Sequence, residues 1–403
     1  MLETTERQER PALTPTTLLS RAPRLGIFLD SSGEVEVEVD GQRAKIGPSA
    51  LAILDAFAHP RPLGEVLEKL GARGPEQWLE SSTTVLQLWR AGALVSGKER
   101  PIGVTRGYVR PAVHVSMLED RARTLGFCNA LRSILRPDDV VVDVGTGTGV
   151  LSVCAAQIAR HVYAIEASGI ADLARKVFEA NGVAHKVTLV RGRSTDVDLP
   201  ERGTVLVTEM IGDDPLDEDL LEVIRDARRR LLVDGARVVP ESIRLLAMPV
   251  DVPVDVLEMH SFTDRQLSTW KSDYGVDFAP LAAHKLGPSN PILVSSRNAS
   301  GWRDVAPPAL LADIDLRTTE ATTLDVSASF EARVHASHLG VLVGFSSTLA
   351  PGIELSTVLG EVSPSNHWFY PLFPAANRPE VQPDERVELH YRYSRGRTRL
   401  DIR

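Results

Sequence analysis

Residues Val140–Glu166 read VVVDVGTGTGVLSVCAAQIARHVYAIE. A run of β-branched apolar residues closes at Asp143, glycines follow at Gly145, Gly147 and Gly149, an apolar helical pattern comes next, and a second apolar strand ends at Glu166. Strand, turn, helix and strand in that order make a βαβ unit. The glycines let the backbone turn tightly and approach a ligand, and an acid at the end of the second strand can accept hydrogen bonds from a ribose diol. A dinucleotide fold would space its glycines G-x-G-x-x-G, to seat a pyrophosphate on the helix N-terminus. The order here is D-x-G-x-G-x-G, which weakens the phosphate reading and leaves a nucleoside site.

The stretch resembles motif I of class I S-adenosylmethionine (SAM) methyltransferases. That resemblance implies a Rossmann-like α/β domain with SAM as cofactor and Glu166 on the ribose. It also implies that Asp143, Gly145, Gly147, Gly149 and Ala167 belong to the cofactor site.

Outward from this unit, 403 residues are enough for two or three domains, each burying its own core. The composition, 43% hydrophobic and 25% charged, is that of an ordinary soluble protein. No apolar run approaches the ~18–20 residues that span a membrane. The N-terminus, MLETTERQERPALTPTT, is polar and lacks a signal-peptide core, so a cytoplasmic protein is expected. Cys128 and Cys154, the two cysteines, lie in apolar helical patterns and are expected as buried thiols rather than a disulfide. No Cys/His cluster has zinc-ligand spacing, so no metal is expected. A formal charge of −9 argues against a nucleic-acid partner and suits a cationic substrate.

Residues 1–22 mix charge, Thr and Pro without periodicity and are expected as a disordered tail. From Leu25, GIFLD and EVEVEVDG alternate as two strands around a Ser31-Ser32-Gly33 turn, and three amphipathic helical stretches follow up to Val95. This 23–98 segment resembles a winged-helix module, specifically the PqqD-like domains that hold leader peptides of ribosomally made natural products. The resemblance rests on pattern alone, and a generic small α+β module fits as well. Its helices carry few Lys or Arg, which disfavours DNA binding. A Gly/Pro-containing polar stretch, Lys98–Arg110, reads as a linker.

Next comes VHVSMLEDRARTLGFCNALRSIL, expected as one helix with an apolar stripe of Met117, Leu118, Ala122, Leu125 and Phe127. Its His114, Met117-Leu118 and Arg123-Thr124 are similar in identity and spacing to the helix that precedes motif I in protein arginine methyltransferases. The resemblance implies that Arg123 grips the SAM carboxylate, His114 lines the cofactor pocket and Met117 lines the methyl-transfer cavity. In that family an acid on the segment matching Ser194-Thr195 meets the adenine amino group; Thr195 departs from it.

After strand TVLVTEM, Glu209-Met210-Ile211-Gly212 and Glu218 match the family's loop bounded by two glutamates. Two carboxylates can hold a planar guanidinium through bidentate hydrogen bonds and leave one nitrogen aimed at the methyl group. An acid ahead of a helix also complements its dipole, an alternative account of Glu218 that does not explain Glu209 at a strand end. Met210 stands where the family has Trp, and Asp213-Asp214-Pro215-Leu216-Asp217 replaces a largely aromatic and apolar loop.

Residues 105–248 are thus expected as the SAM domain and 249–403 as a β-barrel. A segment at 260–290 carrying Trp270, Tyr274 and Phe278 resembles the family's dimerisation arm and implies a homodimer. Asn366-His367-Trp368 resembles the family's Thr-His-Trp loop, with His367 beside the glutamates, and Tyr108 matches one aromatic of its N-terminal motif. The expected activity is methylation of arginine in a peptide or protein, such as a natural-product precursor. A different acceptor, or a non-catalytic peptide-binding protein on the same fold, remains open.

Overall fold

The computed structural model describes residues 13–22, 25–29, 34–39, 42–47, 49–70, 74–96, 111–283 and 287–403. The Ser31-Ser32-Gly33 turn, the Lys98–Arg110 linker and Tyr108 lie outside the described residues. The chain divides into two compact units, Met1–Gly107 and Tyr108–Arg403.

The first unit contains β1 (Leu18–Arg21), β2 (Gly26–Leu29), β3 (Val35–Val39), β4 (Gln42–Lys45), α1 (Ala50–Ala56), β5 (Arg61–Pro62), α2 (Leu63–Leu70), α3 (Pro75–Arg90) and β6 (Leu94–Ser96). Strands pair as β2-β3-β4 and β5-β1-β6. Alternation sets the faces of β3: Val35 and Val37 are buried, while Glu36 and Glu38 meet Arg43 of β4 on the other side. The core gathers Leu19, Phe57, Val85, Leu88 and Trp89. Two expectations are corrected. Leu18–Arg21 is not part of a disordered tail, because Leu19 is fully buried on a strand paired on both edges, while residues 1–12 lie outside the described residues. The hairpin also gains a third strand, β4, and a second sheet accompanies it, since the partners of β1 come from residues more than forty positions away.

The second unit opens with α4 (Pro111–Glu119) and α5 (Arg121–Ile134). One continuous helix was expected; Asp120 breaks it, because its side chain caps α5 by accepting from the Arg123 backbone N–H. Consequently Phe127 is buried while Leu118 and Leu125 stay exposed, and the expected stripe does not form. There follow β7 (Val140–Val144), α6 (Val150–Ala156), β8 (His161–Glu166), α7 (Ala171–Ala180), β9 (Val187–Arg191), β10 (Gly203–Thr208), α8 (Leu220–Arg230) and β11 (Leu232–Val239). These strands form a parallel sheet, β11-β10-β7-β8-β9. Every residue of β7 is buried, as a central strand covered on both faces requires.

Cys128 of α5 and Cys154 of α6 form a disulfide, their Cα atoms 5.7 Å apart, correcting the expectation of free thiols. The pairing follows from α5 packing on α6, a contact across 26 residues of sequence that helical patterns do not reveal.

The rest is largely antiparallel. β12 (Ser242–Asp251) is followed by α9 (Val254–Met259), α10 (Asp264–Tyr274), β13 (Ile292–Ser295), α11 (Ser296–Ala299), β14 (Arg303–Asp304), β15 (Ala309–Asp315), β16 (Thr323–Glu331), β17 (Leu339–Ala350), β18 (Ile353–Ser356), β19 (Phe369–Pro374), β20 (Arg386–Ser394) and β21 (Thr398–Ile402). A seven-stranded sheet built on β12 and β17 curls, with β16-β20-β21, into a barrel-like body. β12 therefore belongs to the barrel sheet and not to the nucleotide-binding half that was expected to extend to residue 248. In the arm, a Thr263/Gln266 capping box starts α10, and Trp270 and Tyr274 both meet Phe278 edge-to-face. Met259 and Tyr274 are 72% and 65% exposed. Among the described residues, no helix is long and apolar enough to cross a membrane.

Candidate active site

The turn after β7 is shaped by glycines at positive φ, among them Gly147 (+55°) and Gly149 (+88°). A Cβ on Gly149 would lie 2.4 Å from the Phe178 ring of α7, so glycine is required there on two grounds. Beneath the turn, Asp143 Oδ2 accepts from the Thr146 and Ser152 hydroxyls, at 2.7 and 2.6 Å. Burial pushes the Asp143 carboxyl up to about 6, against the pull of those two hydroxyls. Asp143 thus shapes the turn through its own hydroxyl ligands. Glu166, at the end of β8, accepts from the Gly147 N–H at 2.9 Å and from the Ser168 N–H at 2.7 Å. Those two donors orient the carboxylate at the mouth of the turn.

A cleft of about 340 Å³, open solvent included, lies against this turn. Its walls include His114 and Met117 of α4, Arg123 of α5, Gly145, Gly147 and Glu209. Six of the expected site residues, from three separate stretches of the chain, are therefore brought together. Arg123 and Glu209 form a buried ion pair, their side chains 7% and 4% exposed. Arg123 Nε donates to Glu209 Oε2 at 2.8 Å and Nη2 donates to the same oxygen, while Nη1 donates to the Met117 carbonyl at 3.0 Å.

Asp143, Gly149 and Glu166 of the same turn lie behind the walls of this cleft, and Glu218, Thr195, Ala167 and His367 also lie outside them. Glu218 is half-buried in the turn ahead of α8, beside Asp219, whose φ is +58°. Thr195 sits in a single 3-10 turn, Ser194–Asp196, and Ala167 is exposed next to Glu166.

His367 approaches from the barrel: its Nδ1 lies 2.9 Å from Asp120 Oδ2, which also accepts from the His367 N–H at 3.2 Å. Burial pushes the Asp120 carboxyl up, but the His367 hydrogen bond and the Arg123 N–H outweigh it and hold it below the usual range. Trp368 Nε1 donates to the Ile211 carbonyl at 2.7 Å, and the Phe369 N–H donates to Asp213 Oδ1 at 2.7 Å. The loop after β10 is thereby sewn to the barrel. Deeper, Asp214 accepts from the Tyr391 hydroxyl at 3.4 Å, and burial pushes its carboxyl up to about 6. The sequence reading missed Asp120, Asp213 and Asp214. For Asp120 a signal existed, an Asp three residues before Arg123 at a helix-capping spacing; the other two depend on barrel partners more than 150 residues away.

The sequence pattern of ribosomal protein L11 methyltransferases (PrmA) matches residues 122–225. Protein arginine N-methyltransferase 1 of Saccharomyces cerevisiae is 30% identical over 277 residues, covering 66% of this chain and 76% of the yeast protein. The chain belongs to the protein arginine N-methyltransferase family. Protein arginine N-methyltransferase 1 of Schizosaccharomyces pombe is 29% identical over 276 residues, 66% of this chain and 77% of that protein. The fold is shared with a solved Trypanosoma brucei PRMT1 enzyme-prozyme heterotetrameric complex with AdoHcy, with a TM-score of 0.60 and 24% identity over 70% of this chain and 88% of that one. As a member of the arginine N-methyltransferase family, the chain is a SAM-dependent methyltransferase. The cleft fits that cofactor. It offers Gly145 and Gly147, which bring the backbone of the turn to the cleft surface, and a buried guanidinium for an amino-acid carboxylate, while Glu166, bonded to the Gly147 N–H just behind the lining, supplies a carboxylate for a ribose.

Proposed function

We propose that this methyltransferase modifies an arginine guanidinium in a peptide or protein. The observation that carries the reading is the Glu209 carboxylate in the cleft wall, which already holds one guanidinium, that of Arg123, through two N–H groups converging on Oε2. In this reading Arg123 meets the cofactor carboxylate and Glu166 the ribose. Gly145, Gly147 and Gly149 admit the nucleoside closely, His114 and Met117 line the cavity, and Thr195 faces the adenine. When bound, SAM supplies an electrophilic methyl group on its sulfonium.

Glu209 and Glu218 then hold the acceptor guanidinium, fix its plane and draw its positive charge away from the attacking nitrogen. Alignment and charge localisation supply more of the acceleration than any strong base. His367, held by Asp120, supports the start of α5 and therefore Arg123 and its partner Glu209.

The first unit serves in this reading as a PqqD-like peptide-capturing module, and the precursor of a ribosomally made natural product is the long substrate. Support comes from strand β2, where Ile27, Phe28 and Leu29 are exposed and which, among the described residues, pairs on one side only, with β3. The exposed arm around Tyr274 makes the assembly a homodimer, which light scattering at micromolar concentration checks: a monomer mass would remove the arm's role.

The test is tandem mass spectrometry of arginine-containing peptides, and of products encoded by neighbouring genes, after incubation with methyl-labelled SAM. Label on arginine that is lost in Glu209→Gln is expected. Label on another side chain or a small metabolite would move the enzyme to a different acceptor.

A further inference from the structure

The end of α8 carries a side chain whose contacts exceed what a surface arginine needs. Arg230 Nη2 donates to the Ser194 carbonyl at 2.5 Å and Nη1 to the Val197 carbonyl at 3.0 Å. Its other contacts hold it in place. Nε and Nη2 donate to the two carboxylate oxygens of Asp226, one helical turn back, at 2.8 and 2.7 Å, and Nη1 lies 3.5 Å from the exposed Asp198. The two carbonyls bracket the 3-10 turn that presents Thr195. A single-turn helix leaves carbonyls without partners, and a planar guanidinium clamped by a carboxylate is a stiff donor for them. The clamp is rigid at its base too, because Leu220, Leu221, Val223, Ile224 and Ala227 bury the inner face of α8.

We infer that Arg230 is a positioning residue for the cofactor's base: by gripping Ser194 and Val197 it sets the turn on which Thr195 meets the adenine. The inference rests on the placement of Thr195 beside the base given above. It follows from what this turn lacks. Where a long acidic side chain reads the adenine amino group, the turn can shift and the side chain adjust; Thr195 reaches only one bond beyond its Cβ, so the backbone must already be in register.

The experiment compares calorimetric binding of S-adenosylhomocysteine and its inosine counterpart, in which a carbonyl replaces the 6-amino group, to the full chain and to Arg230→Ala, Arg230→Lys and Asp226→Asn. The unaltered chain should prefer the adenine ligand. Arg230→Ala should weaken that ligand up to about 10-fold, the upper scale of one neutral hydrogen bond, and the inosine ligand less than about 3-fold. Arg230→Lys and Asp226→Asn should fall between, and serve alone if Arg230→Ala does not fold. In turnover, KM for SAM should rise while kcat and the acceptor KM hold. Equal loss of both ligands would reduce Arg230 to a general structural contact. An unchanged preference in every variant would also overturn the inference. If the unaltered chain does not distinguish the two ligands, the placement of Thr195 beside the base falls first and the inference with it.

Discussion

In the proposed mechanism Glu209 is the residue on which cofactor side and acceptor side meet; it closes a buried pair with Arg123 and lines the cleft. Replacing it with Gln keeps the shape and removes the charge. A desolvated charge-assisted pair loses several kcal/mol when one partner is changed, so kcat/KM should fall by ~10²–10⁴ in Glu209→Gln and in Glu218→Gln. The double variant should cost far less than the product, because the second acid cannot orient a substrate that the first has released. Strict additivity, or full activity in Glu218→Gln, would leave Glu218 as an acid at a helix start.

Asp214 offers a test in stability. Its carboxyl is raised to about 6 by burial, so the folded chain binds a proton more tightly there than the unfolded chain does. For a raised carboxyl the penalty is absent below the unfolded value, grows as pH climbs from about 4 to about 6, and stays constant above, on the order of 2–3 kcal/mol. Thermal scans at pH 5 and pH 7.5 should therefore show a smaller loss of Tm between the two in Asp214→Asn than in the unaltered chain. Equal losses would mean that Asp214 is not protonated on folding.

At the scale of elements, the site depends on where α5 begins and on how the loop after β10 is tied down. Asp120 does the first by ending α4, capping α5 and receiving His367. Trp368 and Phe369 do the second through Ile211 and Asp213. Trp368→Phe keeps an aromatic ring against Phe345 but deletes the indole donor to Ile211. Loss of one buried hydrogen bond is worth about 1–2 kcal/mol. If that energy places the acidic loop, kcat/KM should drop ~5–20-fold with SAM affinity unchanged, as single-turnover kinetics and calorimetry can separate. An equal drop in SAM affinity would show that the indole supports the cofactor half instead.

For the whole molecule, the division at Gly107/Tyr108 makes the first unit separable in principle. Deleting Met1–Lys98 should leave SAM binding intact and strongly raise KM for a long precursor, while KM for a short arginine peptide holds, because binding energy far from the reacting centre is what is lost. Unaltered KM for the long substrate would give the unit another task, in folding or assembly.

Local pattern alone determined the glycine turn, the acid at the end of its second strand and the barrel's alternating strands, because a βαβ unit is contiguous and its glycine and hydrophobic periodicities are written within about thirty residues. Arg123 and the Glu209 register were legible for the same reason, through spacing along one helix and at one strand end. The tertiary structure decided what spacing cannot carry. It closed Cys128 onto Cys154, ended a helix at Asp120 for the sake of a histidine 247 positions away, and moved β12 into the barrel sheet. It also made the replaced acids Asp213 and Asp214 into anchors for the barrel. Each of these is set by groups that must be satisfied once buried, and burial is a property of the folded chain, not of the order of its residues.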